Sequence, residues 1–143
     1  MKRPIRKERL LSENILDGLK VLVLEDEFLI ALDVEQLCRE HGAQDVIIMR
    51  RLEELGSGPL PTHGFNVAIV DVRLGGETTF DFARQLSSLG IPFIFATGYS
   101  ETETLFEMFP GVAVVSKPYI GGALIQAVRT AMQDSRPAAS GSA

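Results

Sequence analysis

With 143 residues, 45% of them apolar, the chain is long enough for one domain with a sizeable core. The first twelve residues hold five basic groups and one acid, which leaves 9 basic and 18 acidic residues beyond them, so the net charge of -5 hides a body of about -9. A body that acidic argues against nucleic acid as a partner, and no run approaches the ~18 apolar residues of a membrane span.

The basic start is followed by charged and polar residues where a secretory signal would need an apolar stretch, and the single cysteine, Cys38, has no disulfide partner in the chain. No Cys/His cluster has zinc spacing, Cys38 reads as core packing, and the cytoplasm is the expected compartment. Residues 1–18 read as a basic N-terminal arm with room for one helical turn near its end, 19–134 as the domain, and 135–143 as a disordered tail.

The first strand, Lys20 to Leu24, is apolar without alternation, as befits a strand buried on both faces of a parallel sheet. It ends in Glu25-Asp26-Glu27. A helix follows from Phe28 to His41, closed by Gly42, with Ile30, Val34, Leu37 and Cys38 on its core face. Phe28, Leu29, Ala31 and Leu32 make its apolar stripe wider than core packing needs. Asp45 to Met49 is a second strand, and a short helix from Arg51 to Leu55 is cut off by the Gly/Pro-rich loop that starts at Gly56. Val67-Ala68-Ile69-Val70 leads to Asp71, Gly75-Gly76 make a turn, and Thr78 or Thr79 caps a helix ending at Leu89-Gly90, with Phe82, Leu86 and Leu89 inward.

Phe93 to Ala96 is a fourth strand delivering the Thr97 hydroxyl, residues 101–109 form a loose helix, and Ala113 to Ser116 is a fifth strand delivering the Lys117 ammonium. A last helix, from Gly122 to Gln133, turns Leu124, Val128 and Ala131 inward. His41 and His63 read as surface residues. Strands alternating with helices give a (βα)5 flavodoxin-like, doubly wound parallel sheet. Strand order 2-1-3-4-5 brings the ends of strands one and three together at the switch point, where such folds bind ligands.

On that order Glu25, Asp26 and Asp71 share a crevice with Thr97 and Lys117. Two carboxylates about 4 Å apart repel by roughly 4 kcal/mol at an effective dielectric of 20, so a positive partner is required. Mg2+ fits, being a hard cation that takes oxygen ligands. Singly, each residue is an ordinary strand exit or cap. Together they fit phosphoryl transfer to an aspartate, with Asp71, alone on the central strand, as nucleophile, the other two acids left to the metal, and Thr97 and Lys117 stabilising the phosphoryl oxygens.

The set Glu25-Asp26, Asp71, Thr97-Gly98 and Lys117-Pro118 resembles the receiver domain of bacterial two-component response regulators over about Leu19 to Gln133. Phe95-Ala96-Thr97-Gly98-Tyr99 is similar to the signature of the FAT GUY subgroup of single-domain regulators. The resemblance implies that Asp71 accepts a phosphoryl group from a histidine kinase or phosphotransfer protein, with Mg2+ held by Glu25, Asp26, Asp71 and the Arg73 backbone carbonyl. It also implies that Thr97 and Lys117 contact the phosphate, that the Lys117-Pro118 bond is cis, and that the protein catalyses only its own phosphorylation and dephosphorylation. Two departures stand out: Val114 replaces an aromatic found in many receivers, and Glu25 is one methylene longer than the usual aspartate. The first shifts the expected readout to residues 98–109. An Mg2+-dependent phosphoaspartate-type phosphatase is the alternative, but it usually needs a second acid where this chain has Arg73. A flavodoxin-like cofactor module would need a phosphate cradle where this chain has carboxylates.

Overall fold

Five short apolar segments pair in parallel because each offers β-branched or aromatic side chains to both faces of one sheet. The computed structural model of the chain describes residues 15–56, 64–98, 102–117 and 122–134. The rest of the basic arm, the tail after 134, His63, Tyr99 and the bond into Pro118 lie outside the described residues.

Strands β1 (Lys20–Leu24), β2 (Asp45–Met49), β3 (Val67–Asp71), β6 (Phe93–Thr97) and β7 (Val114–Ser116) form the main sheet in the order β2-β1-β3-β6-β7. Counting only these five, that is the expected 2-1-3-4-5. A two-stranded antiparallel hairpin, β4 (Arg73–Leu74) with β5 (Glu77–Thr78), projects after β3 and was not foreseen. Its two loop residues, Gly75 and Gly76, have φ of 62° and 88°. Positive φ at both loop positions suits a type I′ turn and favours glycine.

Helices α1 (Phe28–Glu40), α2 (Phe80–Leu89), α3 (Thr102–Met108) and α4 (Ala123–Asp134) complete the fold. Alternation along β1 shows how the two layers are fed. Leu22 and Leu24 enter one cluster with Phe82, Leu86, Phe95, Leu105 and Phe109, so α2 and α3 cover that face. Val21 and Val23 enter the other with Val34, Cys38, Leu124 and Val128, so α1 and α4 cover the opposite face. Each fully buried side chain of this kind contributes about 1.5–3 kcal/mol. Among the described residues no helix is long and apolar enough to cross a membrane.

Several details depart from the sequence reading. The segment after β2 is a single 3-10 turn, Leu52–Leu55, in place of a second α-helix. Leu89 is exposed, and Ala83 is buried instead, because the helix ends at Leu89 and Gly90, in a left-handed conformation, turns the chain away. On α1, Ala31 is buried while Phe28, Leu29 and Leu32 face solvent. Packing also begins before Leu19: Leu16 is fully buried, and its amide donates to the His41 carbonyl at 2.8 Å. Finally, Thr79 stands at the N-cap of α2 but makes no side-chain capping bond.

Candidate functional site

The register of the sheet decides where the polar strand ends meet. Leu24 lies opposite Val70 on β3, so the next residues, Glu25 and Asp71, emerge side by side. The Glu25 amide still bonds the Met49 carbonyl at 3.1 Å, which continues the β1–β2 ladder one residue past the strand. On the other side Asp71 pairs with Ala96, and the Lys117 amide donates to the Thr97 carbonyl at 2.9 Å. All five expected side chains therefore arrive at one end of the sheet.

Glu25, Asp26 and Asp71 each offer a carboxylate oxygen within 4.8 Å of the other two. Glu25 and Asp71 are buried, as is Thr97, whereas Asp26 is half-buried. The Lys117 ammonium sits between the two buried acids, 2.8 Å from Glu25 Oε1 and 3.0 Å from Asp71 Oδ2. A cavity of about 480 Å3 opens over Asp26, Asp71, Arg73, Thr97 and Lys117. The site is thus open to solvent on the Asp26 side and closed behind Glu25.

Burial pushes the Asp71 carboxyl above its ordinary pKa, with the Lys117 hydrogen bond pulling the other way and Asp26 adding repulsion. Glu25 is likewise raised, first by burial and further by Asp71, against hydrogen bonds from Lys117 and the Glu27 amide. For Lys117 burial acts downward, but bonds to Glu25 and Asp71 outweigh it and the ammonium is held above its usual value. The acids are short of positive charge and the lysine is not short of negative charge. Three oxygen donors with a charge deficit suit a hard divalent cation such as Mg2+.

Three further contacts escaped the sequence reading. The Arg50 guanidinium donates to the Asp26 carbonyl at 3.1 Å. The Gly75 amide, at the hairpin tip, donates to Asp26 Oδ2 at 3.0 Å. The Thr79 hydroxyl lies 2.7 Å from the Asp71 carbonyl and 3.2 Å from that of Val72. Of these, the Gly75-Gly76 pair left a trace in the sequence as a turn, and Thr79 as a candidate helix cap. A second cavity of about 430 Å3, lined by Ser87, Pro92, Pro110 and Thr130 among others, has no titratable side chain among the described residues of its wall.

The fold is shared with known structures. A signal receiver domain of a modulated diguanylate cyclase from Desulfovibrio desulfuricans superposes with a TM-score of 0.67 at 22% identity, over 83% of this chain and 97% of that one. A CheY-like response regulator receiver domain protein from Methanospirillum hungatei matches equally well, with a TM-score of 0.67 at 20% identity over 83% and 97%. The chain has the fold of a receiver domain. The anti-anti-sigma factor PhyR from Bartonella quintana is also similar, with a TM-score of 0.67 and 26% identity over 86% of this receiver domain but only 51% of PhyR, about half its length. No protein-family model matches the sequence, and no characterised protein matches it in sequence either.

Proposed function

We propose that this receiver domain accepts a phosphoryl group on Asp71 from a histidine kinase or histidine phosphotransfer protein, in a Mg2+-dependent relay, and signals through protein contacts. The observation that carries the reading is the Lys117 ammonium held between Glu25 and Asp71 at 2.8 and 3.0 Å beside a third carboxylate. Such a set is wasteful for stability alone, since a buried ion pair is often no better than apolar packing.

Glu25, Asp26 and Asp71, with the Arg73 backbone carbonyl, would hold the cation, which when bound neutralises the acids and the incoming phosphoryl oxygens. An ionised Asp71 oxygen attacks phosphorus, an O–P bond forms, and the P–N bond of the donor phosphohistidine breaks with its electron pair leaving on the imidazole. Lys117 and Thr97 line the same cavity, where they can bond the phosphoryl oxygens. Hydrolysis of the acyl phosphate by water returns the carboxylate, so the chain acts only on itself. The phosphatase alternative gains nothing here, because Arg73 occupies the position of its second acid.

Acetyl phosphate with Mg2+ should add one phosphoryl group by intact mass, and Asp71→Asn should prevent it. Undiminished labelling of that variant, or labelling that persists in EDTA, would sink the assignment.

A further inference from the structure

We infer that Thr79 is a positioning residue for the proposed metal and phosphoacceptor site, an inference that rests on the reading of Asp71 given above. Thr79 is fully buried, stands eight residues beyond Asp71, and occupies the N-cap of α2 without capping it. A threonine there normally turns its oxygen toward the free amides of the first helical turn. Here the hydroxyl points the opposite way and meets two consecutive carbonyls, Asp71 at 2.7 Å and Val72 at 3.2 Å. A hydroxyl has one proton, so the shorter contact to the Asp71 carbonyl is the principal bond. The Thr79 backbone amide also donates to Val72, at 3.0 Å.

These contacts close the base of the β4–β5 hairpin. Arg73 pairs with Thr78, and at the far end the Gly75 amide holds Asp26 Oδ2 at 3.0 Å. One buried side chain therefore bonds the backbone of Asp71 and Val72 at the base of the strap that carries Arg73 and whose tip orients Asp26. Two of the three clustered carboxylates are reached from Thr79 through this frame. A loop held only by its ends would let Asp71 and Asp26 drift apart under their mutual repulsion, and outer groups that orient metal ligands commonly set affinity.

The test compares Thr79→Val, which keeps the shape and loses the hydroxyl, with Thr79→Ser, which keeps the hydroxyl. Mg2+ affinity is read by amide NMR titration, labelling by acetyl phosphate, and folding by thermal melts. Thr79→Val should bind Mg2+ about tenfold or more weakly while still folded at the assay temperature, with Thr79→Ser close to the parent protein. A folded Thr79→Val with parental Mg2+ affinity overturns the inference, whatever its melting temperature. Should Thr79→Val not fold, amide exchange in the parent protein decides: Mg2+ should slow exchange at Gly75 and Thr79, and unchanged exchange at both overturns it. A parent protein that neither binds Mg2+ nor labels at Asp71 fails the functional reading itself, before any Thr79 variant is made, and takes this inference down with it.

Discussion

Lys117 Nζ stands 3.0 Å from Asp71 Oδ2 at a point where burial holds the carboxyl above its ordinary pKa. The ammonium also reaches Glu25, so it is the chief counter-charge for two buried acids. Any cation bound by the acids would therefore share carboxylates that the lysine already holds.

Lys117→Met should accordingly destabilise the metal-free protein by about 3 kcal/mol, the low end for breaking a buried pair, because the lysine retains some solvent contact. Saturating Mg2+ should recover more stability in this variant than in the parent, since it binds only the folded arrangement of acids. Urea unfolding in EDTA and in Mg2+ measures both. Equal Mg2+ stabilisation of the two proteins would contradict a shared charge site.

A pH dependence follows from the same carboxyls. Asp71 and Glu25 have folded pKa values raised above the ordinary 3.8 and 4.5. Their contribution favours the folded state fully below those values and is lost as pH rises through the raised ones. Lys117 is raised above 10.5, so its share is constant across this window and is lost only in strong alkali. In EDTA, Asp71→Asn should be more stable than the parent at pH 7, with the advantage shrinking towards pH 4. An advantage that is the same at both pH values, or a variant less stable at pH 7, would show that the Lys117 bond outweighs burial after all. Mg2+ should reverse the trend, because it binds the ionised carboxylates and releases protons on binding.

Cys38 should be inert. It is fully buried against Val21, Val34 and their neighbours, and burial pushes its thiol up to about 12. Thiolate, not thiol, reacts with disulfide reagents, so modification at pH 8 should be negligible in the native protein and fast in denaturant. Stoichiometric labelling within seconds under native conditions would contradict the packing.

Most of the fold could be read from the sequence because parallel strands buried on both faces are continuous apolar runs, as in Val67–Val70, and because each run here ends in a polar group. Register then follows from those ends, and Glu25, Asp26, Asp71, Thr97 and Lys117 meet as expected. What could not be read depends on direction or on distant contact. Thr79 and a capping threonine are the same letter, and only the fold shows that its hydroxyl turns back to the Asp71 carbonyl. Leu89 keeps helical spacing with Phe82 and Leu86 yet lies at the helix end, where spacing no longer implies burial. Arg50 and Gly75 reach Asp26 across 24 and 49 residues of sequence, and although Gly75-Gly76 marks a turn, no local pattern marks the partner of either residue.

Val114 on β7 has no ring to rotate, so a shift of Thr97 toward phosphoryl oxygens must be relayed by other contacts of β6. Thr97 is buried at the end of β6, and Gly98 follows it toward α3. That helix is not loosely attached throughout: Leu105 and Phe109 are buried, and the Phe109 ring lies 5.1 Å from that of Phe95, two residues before Thr97. Before Leu105, its residues Glu103 and Thr104 are exposed. A displacement of Thr97 would thus reach α3 by two routes, through Gly98 and through the Phe95–Phe109 contact, and the first turn should yield more than the second. Backbone NMR with a beryllofluoride mimic of the acyl phosphate should therefore show changes at Gly98 and across 102–109, largest at 102–104. Perturbation confined to residues 71–79, with 98 and 102–109 unmoved, would rule this relay out.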